Sequence, residues 1–271
     1  MQNSSKSKSI TVLIVVAITL IACVWRTLLM LFGFDYDTHF FYNNTIATVM
    51  YIFVLLSGAI AYYFSKKIDT GKVDNSRCDS TCEILYTILN VLSAVIFATL
   101  FYSASTTPLP QMTLGRVTHW VALVSSAFST IYFLLAVFDK KVNSSIITCF
   151  NIAPIIYLLC LSIDCFTSFS TKANSYYLFP HVISIIFLAF YILNKARNNY
   201  VAQEQKSSIL PYSLIALLFL TFSFVPDVVI LLNERMSFSL IDLLITVFKG
   251  IYIIISITDI HASAKAKNEE K

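Results

Sequence analysis

The sequence predicts an all-α, polytopic transmembrane helix bundle of about eight spans with both termini cytoplasmic. Three observations carry that prediction. The 271 residues are 57% apolar and only 13% charged, whereas an ordinary soluble domain is roughly 45–50% apolar and about 25% charged. The apolar residues gather into runs of about 20, the length that crosses a bilayer as a helix. Lys and Arg are confined almost entirely to alternate connections. The mean hydropathy of +0.75 agrees. With five Gly, six Pro and 14% aromatic residues, the composition excludes a disordered, collagen-like or disulfide-scaffold chain. The runs lack the alternation of a membrane barrel and are about twice as long as a barrel strand, so helices are the expected form.

The first span is expected over residues 10–34, after a cytoplasmic amino end at 1–9. Leu20-Ile21-Ala22-Cys23 resembles a bacterial lipobox, but the apolar run continues to Phe34, which predicts an uncleaved first helix bearing Thr19, Cys23 and Arg26 on one face. The second span is expected over 44–64. The third, 81–104, carries a polar stripe of Glu83, Thr87 and Asn90. On the fourth, 114–138, Arg116, His119, Ser126 and Thr130 share a face, and on the fifth, 144–169, Pro154, Tyr157, Cys160, Asp164 and Thr167 do. The sixth, 176–193, aligns His181, Ser184 and Tyr191. The seventh, 209–232, aligns Ser213, Ala216, Leu220, Ser223 and Asp227, with Pro226 opening the backbone beside the carboxylate. The eighth, 238–260, carries Asp242, Thr246, Lys249, Ile253 and Ser256 at helical spacing, and a cytoplasmic polar tail follows at 261–271.

Orientation follows from the basic residues. Lys6, Lys8, Lys66, Lys67, Lys72, Arg77, Lys140, Lys141, Lys195, Arg197, Lys206, Lys265, Lys267 and Lys271 are fourteen of the nineteen, all on one side of this topology. Only Arg116, Lys172 and Arg235 lie opposite, and Arg26 and Lys249 lie within spans. The basic side is therefore expected in the cytoplasm.

That balance denotes orientation and attraction to anionic lipid, not nucleic-acid binding. The longest connection, 65–80, is too short for a folded domain, so function must reside in the bundle itself or in small loops. Four of the six cysteines fall in spans as small apolar residues, and the Cys78/Cys82 pair lacks further metal ligands nearby. The sequence therefore predicts no metal and no cofactor. Trp25, Trp120, Tyr176 and Tyr177 are expected in the interfacial belt.

Ionisable groups inside a span are costly and must face protein, water or a partner. Arg26, His119, Asp164, His181, Asp227 and Asp242 all fall in the outer third of their spans, with Lys249 near mid-span. The expectation is an outward-facing polar cavity floored by Lys249 and built around Asp227, Asp242 and Lys249. Lys249 and Asp242 lie about 10 Å apart along the helix axis, too far for a direct pair. Three functions compete. The first reading is a bundle that binds a small solute, lipid or partner membrane helix, as a sensor or assembly protein in a bacterial plasma membrane. A small-solute or proton-coupled transporter would use the same charges together with Pro154 and Pro226. A membrane-embedded lipid hydrolase could draw on the three Asp with His39, His119 and His181, although no H-E-x-x-H or G-x-S-x-G motif is present.

Overall fold

The structure, a computed structural model, describes residues 2–36, 40–68, 80–110, 113–138, 144–171, 178–200, 208–235 and 238–265. His39, Cys78 and Lys172 lie outside the described residues. The helices are α1 (Gln2–Phe32), α2 (Asn44–Ile68), α3 (Ser80–Thr106), α4 (Thr113–Val137), α5 (Ser144–Thr171), α6 (Leu178–Tyr200), α7 (Leu210–Leu232) and α8 (Leu240–Lys265). Eight are long and apolar enough to cross a membrane. Large side chains such as Leu13, Leu20, Val24, Leu28, Ile84, Ile88 and Val95 stand exposed along them. A water-soluble fold would bury such rows; a bilayer solvates them. The chain is an integral membrane protein with an all-α, polytopic bundle.

Helix ends carry recognisable chemistry. Asn43 caps α2, its Oδ1 accepting from the backbone N–H of Thr45 at 3.0 Å and Ile46 at 3.2 Å. At the start of α8, Ser239 and Asp242 form a reciprocal capping box: the Asp242 amide donates to Ser239 Oγ at 3.1 Å, and the Ser239 amide to Asp242 Oδ2 at 3.3 Å. α7 ends in a Schellman motif in which Arg235 N–H reaches Ile230 O and Glu234 N–H reaches Leu231 O. Glu234 occupies the left-handed position of that motif, with φ 52°.

Between α1 and α2 the chain makes a short antiparallel pair, β1 (Phe34–Asp35) with β2 (Phe40–Phe41), with Phe34 opposite Phe41. The Phe34 and Phe41 rings meet edge to face at 4.9 Å. Beside them, Tyr36 donates its hydroxyl to Met30 O at 2.8 Å. Burial pushes the Tyr36 phenol above its ordinary range, against the opposing pull of Arg235 and Arg26, so the hydroxyl keeps its proton and remains a donor.

Six helices close into a ring: each of α3 to α8 packs on the next, and α8 returns to α3. The interior holds a core drawn from all six, with Phe97, Phe133, Tyr157, Leu188, Leu220 and Phe248 among its members. Phe97 is its hub, stacked on Phe133 at 5.5 Å and meeting Tyr157 and Phe248 edge to face at 5.3 and 5.1 Å. The α1–α2 hairpin packs outside the ring, against α7. α7 is therefore shared between ring and hairpin, and it is the most deeply buried of the eight spans. Gly58 of α2 permits the close approach, since a Cβ there would stand 2.7 Å from the Phe219 ring. Phe219 in turn stacks on Phe187 of α6 at 4.1 Å.

Candidate functional site

Helix directions bring distant charges to one end of the bundle. α1 and α7 finish there, while α6 and α8 begin there, as the contacts between their residues require. Pro226, near the end of α7, has no N–H and so leaves the Phe222 carbonyl without its helical donor. Arg26 of α1 supplies one: Nη1 donates to Phe222 O at 2.8 Å and to Ser223 O at 2.9 Å. Its Nη2 donates to Asp227 Oδ1 at 3.0 Å, completing a buried ion pair. The guanidinium also lies 5.5 Å from the centre of the Phe222 ring.

The chain of bonds continues through Ser223. Hydroxyls in spans ordinarily donate back to their own helix, as Thr19, Ser93, Ser129, Ser162 and Ser256 do here. Ser223 instead donates to Asp227 Oδ2 at 3.1 Å and accepts from Lys249 Nζ at 2.9 Å. Lys249 Nζ also lies 2.9 Å from His181 Nδ1. An ammonium donor fixes Nδ1 as acceptor and places the ring proton on Nε2. Because Cβ bonds lean toward a helix N-terminus, the Lys249 stem rises from mid-span toward the polar end. Arg26, Asp227, Ser223, Lys249 and His181 thus form one hydrogen-bonded chain across α1, α7, α8 and α6. Arg26 is 1% exposed and Lys249 0%, and His181 alone of the five is not buried.

Of the seven residues singled out from the sequence, the structure joins Arg26, Asp227, Lys249 and His181 directly. Asp242 lies on the same helix but is engaged with Ser239, whose Oγ stands 2.6 Å from its Oδ2. Asp164 accepts from Thr118 Oγ1 at 2.5 Å between α4 and α5, a contact separate from the chain of bonds, and the His119 ring lies edge-on to Trp120 at 6.2 Å. Ser223 was visible only as one member of a polar stripe.

A second polar cluster sits at the opposite end of the ring. Asp259 of α8 accepts from Tyr86 of α3 at 2.5 Å, from Tyr191 of α6, and from Lys195 of α6 at 3.1 and 3.2 Å. The Lys195 ammonium also lies over the Tyr86 ring, 4.6 Å from its centre. Orientation counting takes Lys195 as a loop residue, whereas α6 continues to Tyr200 and draws it into the bundle. The signal for Asp259 lay in spacing: Ile245, Phe248, Tyr252 and Ile255 form a buried stripe that Asp259 continues.

Between these ends lies the apolar core of the ring. A crevice between α2, α6 and α7, lined by Tyr51, Phe179, Ile183, Phe219 and Phe222, offers about 10 Å³, room for a single water at most. Among the described residues, no three His, Cys, Asp or Glu side chains gather as metal ligands. No known protein family, curated protein or solved structure matches the chain.

Proposed function

We propose that this membrane protein binds a small solute at the polar end of the six-helix ring, with Arg26, Asp227, Ser223, Lys249 and His181 as its site. The supporting observation is the continuous hydrogen-bonded chain that these five side chains form within the spans. A purely packed membrane bundle has no need of it, because intramembrane charge is costly and apolar packing holds helices without it. With the basic connections cytoplasmic, the site faces outward, and the location assigned by this reading is a bacterial plasma membrane. The site is occluded, so entry requires movement of His181 at the first turn of α6. A partner helix is a poorer occupant, since the five residues converge on one another from four helices and four of them are buried.

A small-solute carrier is the second reading. It is favoured by the Asp259 cluster, which closes the far end of the same ring with bonds that could alternate with those at the near end.

The test is the melting of the full chain in nanodiscs against glucose, glycine, choline, acetate and phosphate. At least one should raise Tm in wild type and fail to do so in Lys249→Met. A panel with no effect on wild type would contradict the reading. Uptake of the stabilising solute into proteoliposomes, lost in Lys249→Met, would separate carrier from binder.

A further inference from the structure

We propose that the solute bound at this site carries an oxyanion, a carboxylate or phosphate group, that it docks on Lys249, and that it displaces His181 to do so. The proposal rests on the solute-binding reading above and adds the ligand's chemical class.

The charge arrangement carries it. Asp227 is the one carboxylate in the chain of bonds, and both its oxygens are committed, Oδ1 to Arg26 and Oδ2 to Ser223. Lys249 is left with two neutral acceptors, Ser223 Oγ and His181 Nδ1. Among the described residues no carboxylate pairs with its ammonium. Within the chain of bonds two cations face one carboxylate, and Asp242, seven residues before Lys249 on α8, acts on the ammonium without touching it. Lys249, 0% exposed, therefore has no anion in contact among the described residues, a contact that an oxyanion supplies.

Unpartnered N–H and hydroxyl groups stand beside it as well. An ammonium has three N–H groups, and only two find partners here. One turn nearer the polar end on α8, Thr246 Oγ1 is buried without a partner. Arg26 Nε is likewise buried and unpaired on the α1 side. A cationic ligand would add donors to this set, whereas an oxyanion brings the acceptors that it lacks.

Access and size follow from the neighbours. His181 is the only member of the chain not buried, so the approach to Lys249 runs past its ring. The incoming anion and His181 Nδ1 compete for the same ammonium. Asp242 and Asp164, at the same end on α8 and α5, place negative charge near the approach. That favours a monoanionic group over a polyanion.

The experiment is a thermal melt of the purified full chain with sodium acetate or sodium phosphate replacing sodium chloride at constant ionic strength. A parallel arm uses nanodiscs of phosphatidylcholine with and without phosphatidylglycerol. A rise of about 5 °C or more at saturation is expected in wild type. A rise with acetate or phosphate identifies a free solute; a rise confined to phosphatidylglycerol identifies a lipid headgroup. The rise should vanish in Lys249→Met, whose own Tm without anion is no lower than that of wild type. In His181→Ala, loss of the competing acceptor should lower the half-saturating anion concentration by about threefold or more. An equal rise in Lys249→Met, an unchanged or higher half-saturating concentration in His181→Ala, or no rise in either arm would overturn the proposal. Stabilisation by glucose alone would retain solute binding and remove the anion.

Discussion

Arg26 and Lys249 are the two basic residues that no connection accounts for, and their surroundings differ. Arg26 has a carboxylate and two backbone carbonyls, whereas Lys249 has a hydroxyl and an imidazole. Arg26→Leu should therefore strand a buried carboxylate and lower stability by about 3–5 kcal/mol, while the Arg26→Leu/Asp227→Leu double variant should regain most of that loss. Unfolding in SDS-titrated micelles measures both; equal losses in the two variants would contradict the pairing. At the other end, Tyr191→Phe removes one of the donors to Asp259 and should cost about 1–2 kcal/mol. Four of the seven candidate residues were legible because charge inside a span is conspicuous. Ser223 was not, since a serine in a span ordinarily bonds its own helix and sequence does not show the exception. Asp242 was legible as charge, but Ser239-Leu240-Ile241-Asp242 also has the spacing of a capping box, and that role engages its carboxylate.

The element at which these contacts meet is α7, packed on α1, α2, α6 and α8. Pro226 serves it locally by freeing the Phe222 carbonyl that Arg26 then fills, so one helix irregularity becomes a docking point for another helix. Gly58 serves it laterally. Gly58→Leu should drive a side chain into the Phe219 ring, which a Cβ alone would meet at 2.7 Å, and cost about 1–3 kcal/mol through the α2–α7 interface. Glu234 shows the opposite sign. Its left-handed φ of 52° suits glycine, and Glu234→Gly should raise stability by about 0.5–1 kcal/mol without touching the polar site. Chemical or thermal unfolding of the two variants beside wild type checks the pair of signs. Helix identity was legible from the length of the apolar runs. Neither the antiparallel pair after α1 nor the reach of α6 to Tyr200 was, because apolar periodicity marks burial and does not distinguish a short strand from a helix end.

At the scale of the molecule, a closed ring of six helices carries a two-helix hairpin on one of its members. Hydropathy sets the number of spans, but the lateral order of helices in a membrane is set by small residues and shape, which a single sequence hardly displays. The hairpin's separateness has a consequence: residues 1–68 and 80–271, co-expressed as two chains, should co-purify, and Arg26→Leu should weaken their association at least several-fold. Failure to associate would contradict a hairpin held by packing on α7. Orientation has its own test in a cysteine-free background. Thr107→Cys should react with an impermeant maleimide in intact cells, and Lys67→Cys only after permeabilisation; the reverse pattern would place the polar end in the cytoplasm. The most direct measurement concerns Lys249 itself, whose ammonium reaches His181 at 2.9 Å. The ¹⁵N spectrum of histidine-labelled protein in nanodiscs should show a hydrogen-bonded His181 Nδ1 that shifts to its unbonded position in Lys249→Met and, in wild type, on addition of acetate. A His181 Nδ1 signal indifferent to Lys249→Met would contradict the account.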